Sequence, residues 1–297
     1  MSNVLVDLSN SMAAAAEKAG ASTVTVNARR RMPASGIAFA ADLVLTADHT
    51  VEREDGISVF LPDKTEVNAS LAGRDPGSDL AVLRLEKSVA APAAPAAGVR
   101  IGQLVLALGR PSPDGLEASL GVISALGGPV RTPRGSLERY IRTDTTPYPG
   151  FSGGPLADAE GRVAGINTSG FGRGVALTIP ADLAWKVAQQ LAEHGSIQHG
   201  YLGVRSEAVE IAAAAQKALK REQASGLLVI SVEKDSPAEA GELMVGDILA
   251  AIDGVPVPDH DTLFARLAGD IVGKSVPVEV LRGGQPKTLK IKIGARQ

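Results

Sequence analysis

Cysteine is absent from this chain, and aromatic residues are scarce. With no cysteine among 297 residues, disulfides and thiolate metal sites are excluded, although the redox compartment stays open. Aromatic side chains make up 3% of the residues, so Ala, Val, Leu and Ile must form the cores. The four histidines do not cluster with carboxylates at the spacing of metal ligands, and we expect neither a metal nor a cofactor.

Long apolar runs and a strong net charge are missing as well. No stretch approaches the roughly 20 apolar residues that a membrane-spanning helix needs. A formal net charge of −3 does not favour a nucleic-acid-binding surface, so we expect no nucleic acid among the partners. The 33 glycines and 18 prolines indicate many turns, which suit barrels of short strands better than helical bundles. The length predicts two or three domains.

Ser152 is the strongest candidate for a chemical role. It lies in a glycine-rich segment, residues 149–155, just before an apolar, strand-like run. Gly150 allows the backbone to turn its N–H groups toward a developing oxyanion, and the predicted oxyanion hole consists of Gly150, Phe151 and Ser152, with the N–H groups of Gly150 and Ser152 as the main donors. Each such donor typically contributes about 2.7–4 kcal/mol to transition-state stabilisation. A glycine-rich turn without a catalytic role is the alternative that this segment alone leaves open.

His49 is the histidine best placed to act as the base for this serine. A serine hydroxyl is a weak nucleophile until a base accepts its proton. His49 follows the apolar, strand-like run 43–47 and is the only histidine before Ser152. A packed or solvated histidine is the alternative. The other histidines, which lie in polar or turn-like segments after the serine, are His194, His199 and His260.

Asp79 is the carboxylate that could orient the histidine. It comes directly before the apolar run 80–85, which would hold it and partly bury it. Asp48 and Asp75 compete with it, but turn formation or a surface charge is the simpler explanation for those two. Along the chain the order is His49, Asp79, Ser152. Chymotrypsin-type barrels use this order, whereas subtilisin and the α/β-hydrolases use others.

Together these segments resemble the HtrA/Deg family of serine proteases, over about residues 23–297. The resemblance implies a trypsin-like double β-barrel with His49, Asp79 and Ser152 as the catalytic triad. It also implies ATP-independent proteolysis of unfolded or misfolded proteins, a peptide-binding PDZ domain and commonly a homotrimer. The segments that carry the resemblance are 46–49, 75–83, 121–124, 150–156 and 165–168.

We therefore predict a mainly β chain, in which a chymotrypsin-like double β-barrel precedes an α+β PDZ domain. The predicted parts are a helical arm over 1–22, the protease domain over 23–196 and the PDZ domain over 197–297. The active site would lie between the barrels, with the base and carboxylate on the first and the serine on the second. The predicted strands are 23–26, 36–39, 43–45, 57–61, 67–73 and 80–85 in the first barrel, and 104–108, 117–125, 140–143, 156–158, 163–167 and 175–179 in the second.

The N-terminal segment predicts an amphipathic helix rather than a secretory signal. Apolar residues recur at helical spacing over residues 3–19, and polar residues interrupt the neutral to acidic start. The helix would either cover the first barrel or serve as an oligomerisation arm, and the sequence leaves both open. Without a signal-like segment we expect a cytoplasmic location. A periplasmic or extracytoplasmic location is the alternative if the N-terminus has been trimmed.

A peptide-binding groove is expected in the last hundred residues. Residues 201–204 resemble the carboxylate-binding loop of PDZ domains, in which backbone N–H groups capture a terminal carboxylate beside a free strand edge. Residues 259–267 would form the helix along the groove, facing the ligand or the core. For residues 201–204, an ordinary turn before a strand is the alternative. The residues assigned to the groove are Tyr201, Leu202, Gly203, Val204, Leu263 and Leu267.

The primary specificity pocket is predicted near Thr146 and Pro147, with Ile166 on the facing strand. The expected bottom position, Thr146, is not a carboxylate, so nothing there would pair with a Lys or Arg side chain of the substrate. We therefore predict cleavage after small or medium apolar side chains such as Val, Ala or Leu. Whether Tyr148 closes this pocket is left open.

Phe151 departs from the family pattern. The family usually carries Asn-Pro-Gly-Asn before the nucleophile, whereas residues 148–151 are Tyr-Pro-Gly-Phe here. The backbone donors survive this change, but the packing of the loop does not follow from the sequence. The short connection between Asn27 and Gly36 also excludes the long regulatory loop that some relatives carry.

Two functions from different classes remain open at this stage. The first is a serine endopeptidase whose unfolded or misfolded substrates are recruited or sensed through peptide ligands of the PDZ groove. The second is a catalytically quiet peptide-binding scaffold or chaperone, whose only support in the sequence is Phe151. A plain structural adaptor would leave three correctly ordered triad residues unexplained.

Overall fold

Two closed barrels and a separate open sheet make up the fold, which confirms the predicted mainly β class. The computed structural model describes residues 3–88, 92–128, 130–132, 135–171, 177–197, 199–267 and 271–296. The chain divides into two compact units, residues 1–197 with both barrels and residues 198–297 with the open sheet. Within the described ranges, no helix has the length and apolar composition needed to cross a membrane.

The first barrel closes in the strand order β1-β2-β3-β6-β5-β4, and every pair is antiparallel. Its interior is aliphatic, because the β-branched runs point side chains such as Val24, Val44 and Leu83 inward. All six predicted strands are present, with bounds that differ by a few residues. They are β1 Thr23–Asn27, β2 Ala34–Ala40, β3 Leu43–Ala47, β4 Ile57–Phe60, β5 Glu66–Asp75 and β6 Leu80–Leu85.

The second barrel closes in the order β11-β14-β13-β12-β7-β8. Its predicted strands are present as well, although residues 175 and 176 lie outside the described residues. A small hairpin, β9 with β10, was not predicted because three-residue strands are too short to show alternation. The strands are β7 Leu104–Ser112, β8 Gly115–Gly127, β9 Val130–Thr132, β10 Gly135–Leu137, β11 Tyr140–Thr143, β12 Pro155–Asp158, β13 Val163–Thr168 and β14 Leu177–Pro180.

The N-terminal helix α1, Val4–Gly20, buries its apolar face on the second barrel and meets the first barrel only at β1, the strand that follows it in the chain. The expectation that it covers the first barrel is therefore wrong. Met12 and Ala15 on its buried face contact Leu106 and Leu108 of β7. The helix reaches β7 and β12 because its small residues allow close approach to those strands. Its first two turns stay exposed, including the apolar side chains of Val4, Leu5, Val6 and Leu8.

A second helix, α2 Ala181–His194, seals the two barrels together. It begins after Pro180 and ends at Gly195, whose φ of 75° is the left-handed conformation typical of a helix C-terminus. Its apolar face shares one core with residues of both barrels, among them Leu45 and Ile179. The barrels are thereby fixed against each other, which is required of a site built from both.

The C-terminal unit is an antiparallel sheet in the order β16-β17-β18-β20-β21, with β19 paired to β18 and a small β15–β22 ladder. Strand β16 lies at one edge of this sheet. The elements are β15 His199–Tyr201, β16 Val204–Glu210, α3 Ala213–Leu219, β17 Ser225–Val232, α4 Pro237–Ala240, β18 Ile248–Ile252, β19 Val255–Pro256, α5 His260–Arg266, β20 Ser275–Arg282, β21 Gln285–Lys292 and β22 Gly294–Arg296.

Candidate active site

His49 and Asp79 meet because they flank neighbouring strands of the first barrel. His49 lies in a helical turn directly after β3, and Asp79 directly precedes β6. Strands β3 and β6 pair with Ala47 opposite Leu80. This register places the two side chains at the same rim of the barrel.

The His49–Asp79 pair is bonded through both backbone and side chain. His49 Nδ1 lies 2.8 Å from Asp79 Oδ2, and the His49 N–H donates to Asp79 Oδ1 at 2.9 Å. The carboxylate is 2% exposed, so its hydrogen bonds compensate for lost water. With Nδ1–H donating to the carboxylate, Nε2 carries the lone pair and can accept a proton. Asp79 holds φ at 56°, a conformation that Asp tolerates better than most residues.

Thr168, at the end of β13, completes the surroundings of Asp79 and was missed in the sequence. Its hydroxyl donates to Asp79 Oδ2 and accepts the Gly170 N–H at 2.9 Å. A Cβ on Gly170 would lie only 2.5 Å from Asp79 Oδ2, so a side chain there would displace the pair. A buried carboxylate needs several hydrogen-bond donors, so a further donor to Asp79 could have been expected. Nothing in the sequence pattern indicates that Thr168 is that donor.

Ser35 of β2 holds the serine loop against the first barrel, and it too was missed. Its hydroxyl donates to the Gly150 carbonyl at 2.7 Å and accepts the Arg110 N–H at 2.8 Å. Its own N–H donates to the Ser152 carbonyl at 3.2 Å. Gly150 and Gly153 have φ of 86° and 87°, which explains why glycine occupies both turns of the loop.

The loop leaves two backbone donors unused. The Phe151 N–H donates to the Tyr148 carbonyl at 3.1 Å, so Phe151 is not a free donor. In the described part of the chain, the N–H groups of Gly150 and Ser152 donate to no protein acceptor. Both residues line the same cavity as His49.

Phe151, the departure from the family pattern, anchors the loop in the second barrel. It is 2% exposed and lies in the barrel core with Ile141 and Leu156. Its ring also meets Tyr148 edge to face, with centroids 5.4 Å apart. The aromatic side chain therefore adds packing where the family usually has a polar residue.

The Ser152 hydroxyl bonds to a neighbouring serine. Ser152 Oγ lies 3.1 Å from Ser169 Oγ and 3.4 Å from the Ser169 N. Ser169 Oγ in turn lies 3.5 Å from His49 Nε2. The three side chains thus form a row in which Ser169 stands between Ser152 and His49.

The two competing aspartates have structural partners. Asp75 accepts the N–H groups of Gly77 and Ser78, so the expected turn role is confirmed for it. Asp48 begins a helical turn, in which its carbonyl accepts the Val51 N–H at 3.0 Å, so a turn role is confirmed for it as well. It is not a surface charge, because it is 1% exposed and binds Arg74 Nε at 2.6 Å. The hydrogen bond with Asp48 raises the pKa of Arg74 above its ordinary value.

A cavity of about 300 Å³ adjoins Ser152 and corresponds to the predicted pocket only in part. Pro147 lines it as predicted, but Thr146 and Ile166 do not. Ile166 is fully buried in the core that α2 covers, and Thr146 is exposed. Thr145 and Asn167 line the cavity in their place, because side chains alternate along extended backbone and a shift of one residue changes the face.

Among the described residues, the cavity lining contains no carboxylate. Its apolar members at the interior include Ala107 and Leu177, and Arg29 and Met32 come from the β1–β2 connection. Tyr148 is half exposed and lies along the wall. An apolar substrate side chain fits this lining better than a cationic one.

In the C-terminal unit, several residues assigned to the groove lie in the core. Leu202, Leu263 and Leu267 are nearly fully buried in one aliphatic cluster. Of the two orientations expected for Leu263 and Leu267, the structure therefore shows the one that faces the core. The apolar face of α5 turns inward to close this cluster. On that helix the exposed aromatic residue is instead Phe264.

Leu202 and Gly203 join the end of β15 to the start of β16. Gly203 has φ of 80°, and a Cβ there would lie 2.8 Å from Ser236 Oγ. The Leu202 and Gly203 carbonyls accept the N–H groups of Ala238 and Glu233 at 2.8 Å. Within the described residues, the N–H groups of Leu202 and Gly203 have no protein acceptor.

His260 links α5 to the edge strand β16 and was not singled out for this role. Its Nε2 lies 3.1 Å from Ser206 Oγ and 3.0 Å from the Ser206 carbonyl. The imidazole therefore bridges the space between the helix and the edge strand.

Comparisons with known proteins agree with this architecture. A trypsin-like peptidase domain model matches residues 34–166, and a PDZ domain model matches residues 200–293. A probable periplasmic serine endoprotease DegP-like of Ectopseudomonas mendocina is 35% identical over 268 residues, 88% of this chain and 56% of the relative. A probable periplasmic serine protease do/HhoA-like of Haemophilus influenzae is 34% identical, over 85% of this chain and 55% of the relative. The chain spans about half the length of these curated relatives.

Solved structures match over nearly the whole chain. The HtrA-type protease AlgW with decapeptide has a TM-score of 0.76 at 30% identity, covering 96% of this chain and 99% of that one. The serine endoprotease from Yersinia pestis has a TM-score of 0.72 at 29% identity, covering 95% and 97%. Both the double barrel and the C-terminal sheet are therefore shared with these proteins.

The expectation of a cytoplasmic location is wrong. Relatives at 34–35% identity are named periplasmic serine proteases. A secretory signal is removed from the mature protein, so the composition at the start of a sequence does not decide the compartment.

Proposed function

Because the chain belongs to the HtrA/Deg family of serine proteases, we propose that it is an ATP-independent serine endopeptidase acting on unfolded or misfolded proteins. The observation that carries the proposal is the buried, doubly bonded His49–Asp79 pair at the same cavity as Ser152. A catalytically quiet scaffold would not need a histidine with its lone pair directed into a substrate-sized cavity.

The reaction follows from the roles of the three side chains. His49 Nε2 accepts the Ser152 proton as Oγ attacks the scissile carbonyl, and Asp79 stabilises the imidazolium that forms. His49 then protonates the leaving amine, and the peptide bond breaks to leave an acyl-Ser152 ester. Water, deprotonated by His49, attacks the ester and releases the second product. Thr168 and Gly170 support the carboxylate without touching the substrate.

The oxyanion is assigned to the unused N–H groups of Gly150 and Ser152. Their position on a loop that Ser35 holds from the first barrel supports a preformed hole. A preformed donor pair costs no reorganisation during the reaction, so its contribution is available at the moment that charge develops.

Substrate choice is assigned to the cavity, whose described lining residues include no carboxylate, and to the C-terminal unit. The lining by Ala107 and Leu177 supports cleavage after Val, Ala or Leu. The unused N–H groups of Leu202 and Gly203 beside the edge strand β16 support capture of a peptide C-terminus. Such a ligand would recruit substrate or signal its presence.

We also propose a periplasmic location and a homotrimeric assembly. The names of the relatives support the first. The second is implied by the family resemblance and is supported by the exposed apolar residues at the start of α1, which Val4 at 76% and Leu5 at 75% exposure exemplify. An oligomer would cover this apolar surface.

Digestion of casein without nucleotide tests the proposed activity. We expect the wild-type chain to degrade casein and to spare a stably folded protein of similar size. The variant Ser152→Ala should degrade neither. Degradation that needs ATP, or that survives in Ser152→Ala, would contradict the proposal. Binding of a C-terminal peptide without any degradation would favour the quiet scaffold.

A further inference from the structure

Among the described residues, the side chain hydrogen-bonded to the Ser152 hydroxyl is that of Ser169, not that of the general base His49. In the reacting complex, a base that takes a proton directly lies about 2.6–3.2 Å from the hydroxyl oxygen. The Ser152 hydroxyl instead lies 3.1 Å from Ser169 Oγ, and Ser169 Oγ lies 3.5 Å from His49 Nε2. The Ser169 N also lies 3.4 Å from Ser152 Oγ, so one residue contacts the nucleophile twice.

The protons of this row limit what it can do. His49 Nδ1 faces Asp79, so Nε2 is an acceptor and can receive only the Ser169 hydroxyl proton in this arrangement. Ser152 then shares its proton with a neutral hydroxyl, which is no stronger a base than the serine itself. A hydroxyl bonded in this way is not activated for attack.

Ser169 is held over the site by its neighbours. Thr168 on one side is bonded to Asp79, and Gly170 on the other packs against the His49–Asp79 pair. Ser169 itself is exposed and lines the cavity that contains Ser152 and His49. A substrate carbonyl within reach of Ser152 must enter the same cavity and compete with the Ser169 hydroxyl for space.

We propose that Ser169 is a positioning residue whose hydroxyl holds Ser152 away from His49 in the free protein, and that entry of substrate displaces it. This inference rests on the proposed function, because it requires Ser152 to be the nucleophile. With Ser169 in this position, Ser152 is poorly activated in the free protein, although the triad carboxylate Asp79 is already in place. Only the partner of the Ser152 hydroxyl changes between the resting and reacting states.

The rate of covalent labelling by diisopropyl fluorophosphate tests the proposal. In that reaction the Ser152 Oγ–P bond forms, fluoride leaves and His49 takes the hydroxyl proton. The small reagent reports how readily Ser152 reacts, with little dependence on substrate binding. The variant Ser169→Ala removes the competing hydroxyl at an exposed position, where folding should be unaffected.

We expect labelling of Ser169→Ala to be about two- to tenfold faster than that of the wild type. This is the change expected when one neutral hydrogen bond no longer holds the Ser152 hydroxyl in the unreactive arrangement. Ser169→Thr, which keeps the hydroxyl, should stay near the wild-type rate. Ser88→Ala, on an exposed segment outside the site, is the matched control and should label like the wild type. A merely structural role would not be rescued by the hydroxyl of threonine.

Two results would overturn the inference in different ways. If the wild type labels at Ser152 but Ser169→Ala labels equally fast or slower, the proposed function stands and the holding role of Ser169 fails. A slower rate would make Ser169 a proton relay instead. If neither chain labels and both are folded by circular dichroism, Ser152 is not a nucleophile, and the proposed function fails together with the inference.

Discussion

The ring of Phe151 fills the space that a side chain on Gly109 would need. A Cβ on Gly109 would lie 2.9 Å from Phe151 Cε1 and Cγ, and closer still to Cδ1. Gly109 belongs to β7, on the wall of the second barrel, and Phe151 directly precedes Ser152. The glycine in the strand and the aromatic residue in the loop therefore form a matched pair that positions the nucleophile.

The substitution Gly109→Ala should disturb the serine loop through the Phe151 ring. The added methyl group must displace the Phe151 ring, which costs about 1–3 kcal/mol of stability for an overpacked core. We expect a lower melting temperature and reduced casein degradation, since Ser152 moves with Phe151. Gly115→Ala in the next strand is the control, because a Cβ there meets nothing within 4 Å. Equal activity of the two variants would refute the pairing.

The substitution Thr168→Val should lower catalysis without weakening substrate binding. Valine keeps the shape of threonine but cannot donate to Asp79 Oδ2. We expect kcat to fall about ten- to hundredfold, as for the loss of a hydrogen bond to a carboxylate, while KM stays near its wild-type value. Thr168→Ser keeps the hydroxyl and should retain most of the activity. A rise in KM alone would show that Thr168 acts on binding instead.

Substrate preference should follow the apolar lining of the cavity. Peptides that differ only at the residue before the scissile bond should be cleaved after Val, Ala or Leu at least about tenfold faster, by kcat/KM, than after Lys or Arg. A cationic side chain would lose water in this cavity without gaining a carboxylate partner. Faster cleavage after Lys or Arg would place an acidic group in the pocket and contradict this assignment.

The strands and the triad order could be predicted from the sequence because local patterns determine them. Alternating β-branched runs specify each strand, and His49, Asp79 and Ser152 follow those runs in a recognisable order. The supporting contacts could not be predicted, since Ser35 reaches the Gly150 carbonyl across 115 positions and Thr168 reaches Asp79 across 89.

The pocket residues and the location of α1 differ from the prediction for physical reasons. The pocket assignment failed at Thr146 and Ile166 because neighbouring residues on extended backbone face opposite sides. The placement of α1 failed because an amphipathic pattern shows that one face is buried but not which surface buries it.

A charge in the exposed part of α1 should break the proposed trimer. Leu5 is 75% exposed in one chain, so Leu5→Glu would place a charge in the apolar surface that the oligomer covers. We expect light scattering to give the mass of a trimer for the wild type and of one chain for the variant. Ser9→Glu adds the same charge at a polar, exposed position of the helix and should leave the mass unchanged. An unchanged oligomer in Leu5→Glu would refute the role of α1.

The ion pair of Asp247 with Arg282 should make the C-terminal unit sensitive to acid. Burial tends to raise the pKa of Asp247, but hydrogen bonds from Arg282 and the Met244 N–H outweigh burial and hold the pKa below its ordinary value. A carboxylate with a lowered folded pKa stabilises the fold above its unfolded pKa of about 3.9, and this stability is lost as the pH falls through the folded pKa.

The variant Asp247→Asn should therefore unfold more easily near neutral pH, and its difference from the wild type should shrink below about pH 4. Hydrogen exchange in β18 and β20 of the full chain would measure this difference. Glu222→Gln removes the same charge at an exposed position and serves as the control. A difference that persists unchanged in acid would show that the amide disturbs packing and that the charge is not responsible.

Mapping the adduct of diisopropyl fluorophosphate by mass spectrometry identifies the nucleophilic residue directly. If His49 activates Ser152, one adduct per chain forms on Ser152; it is absent in Ser152→Ala and forms very slowly in His49→Ala. An adduct on Ser169, which also lies near His49 Nε2, would contradict the assignment of the nucleophile. A folded wild-type chain that carries no adduct would contradict the claim that His49 activates Ser152.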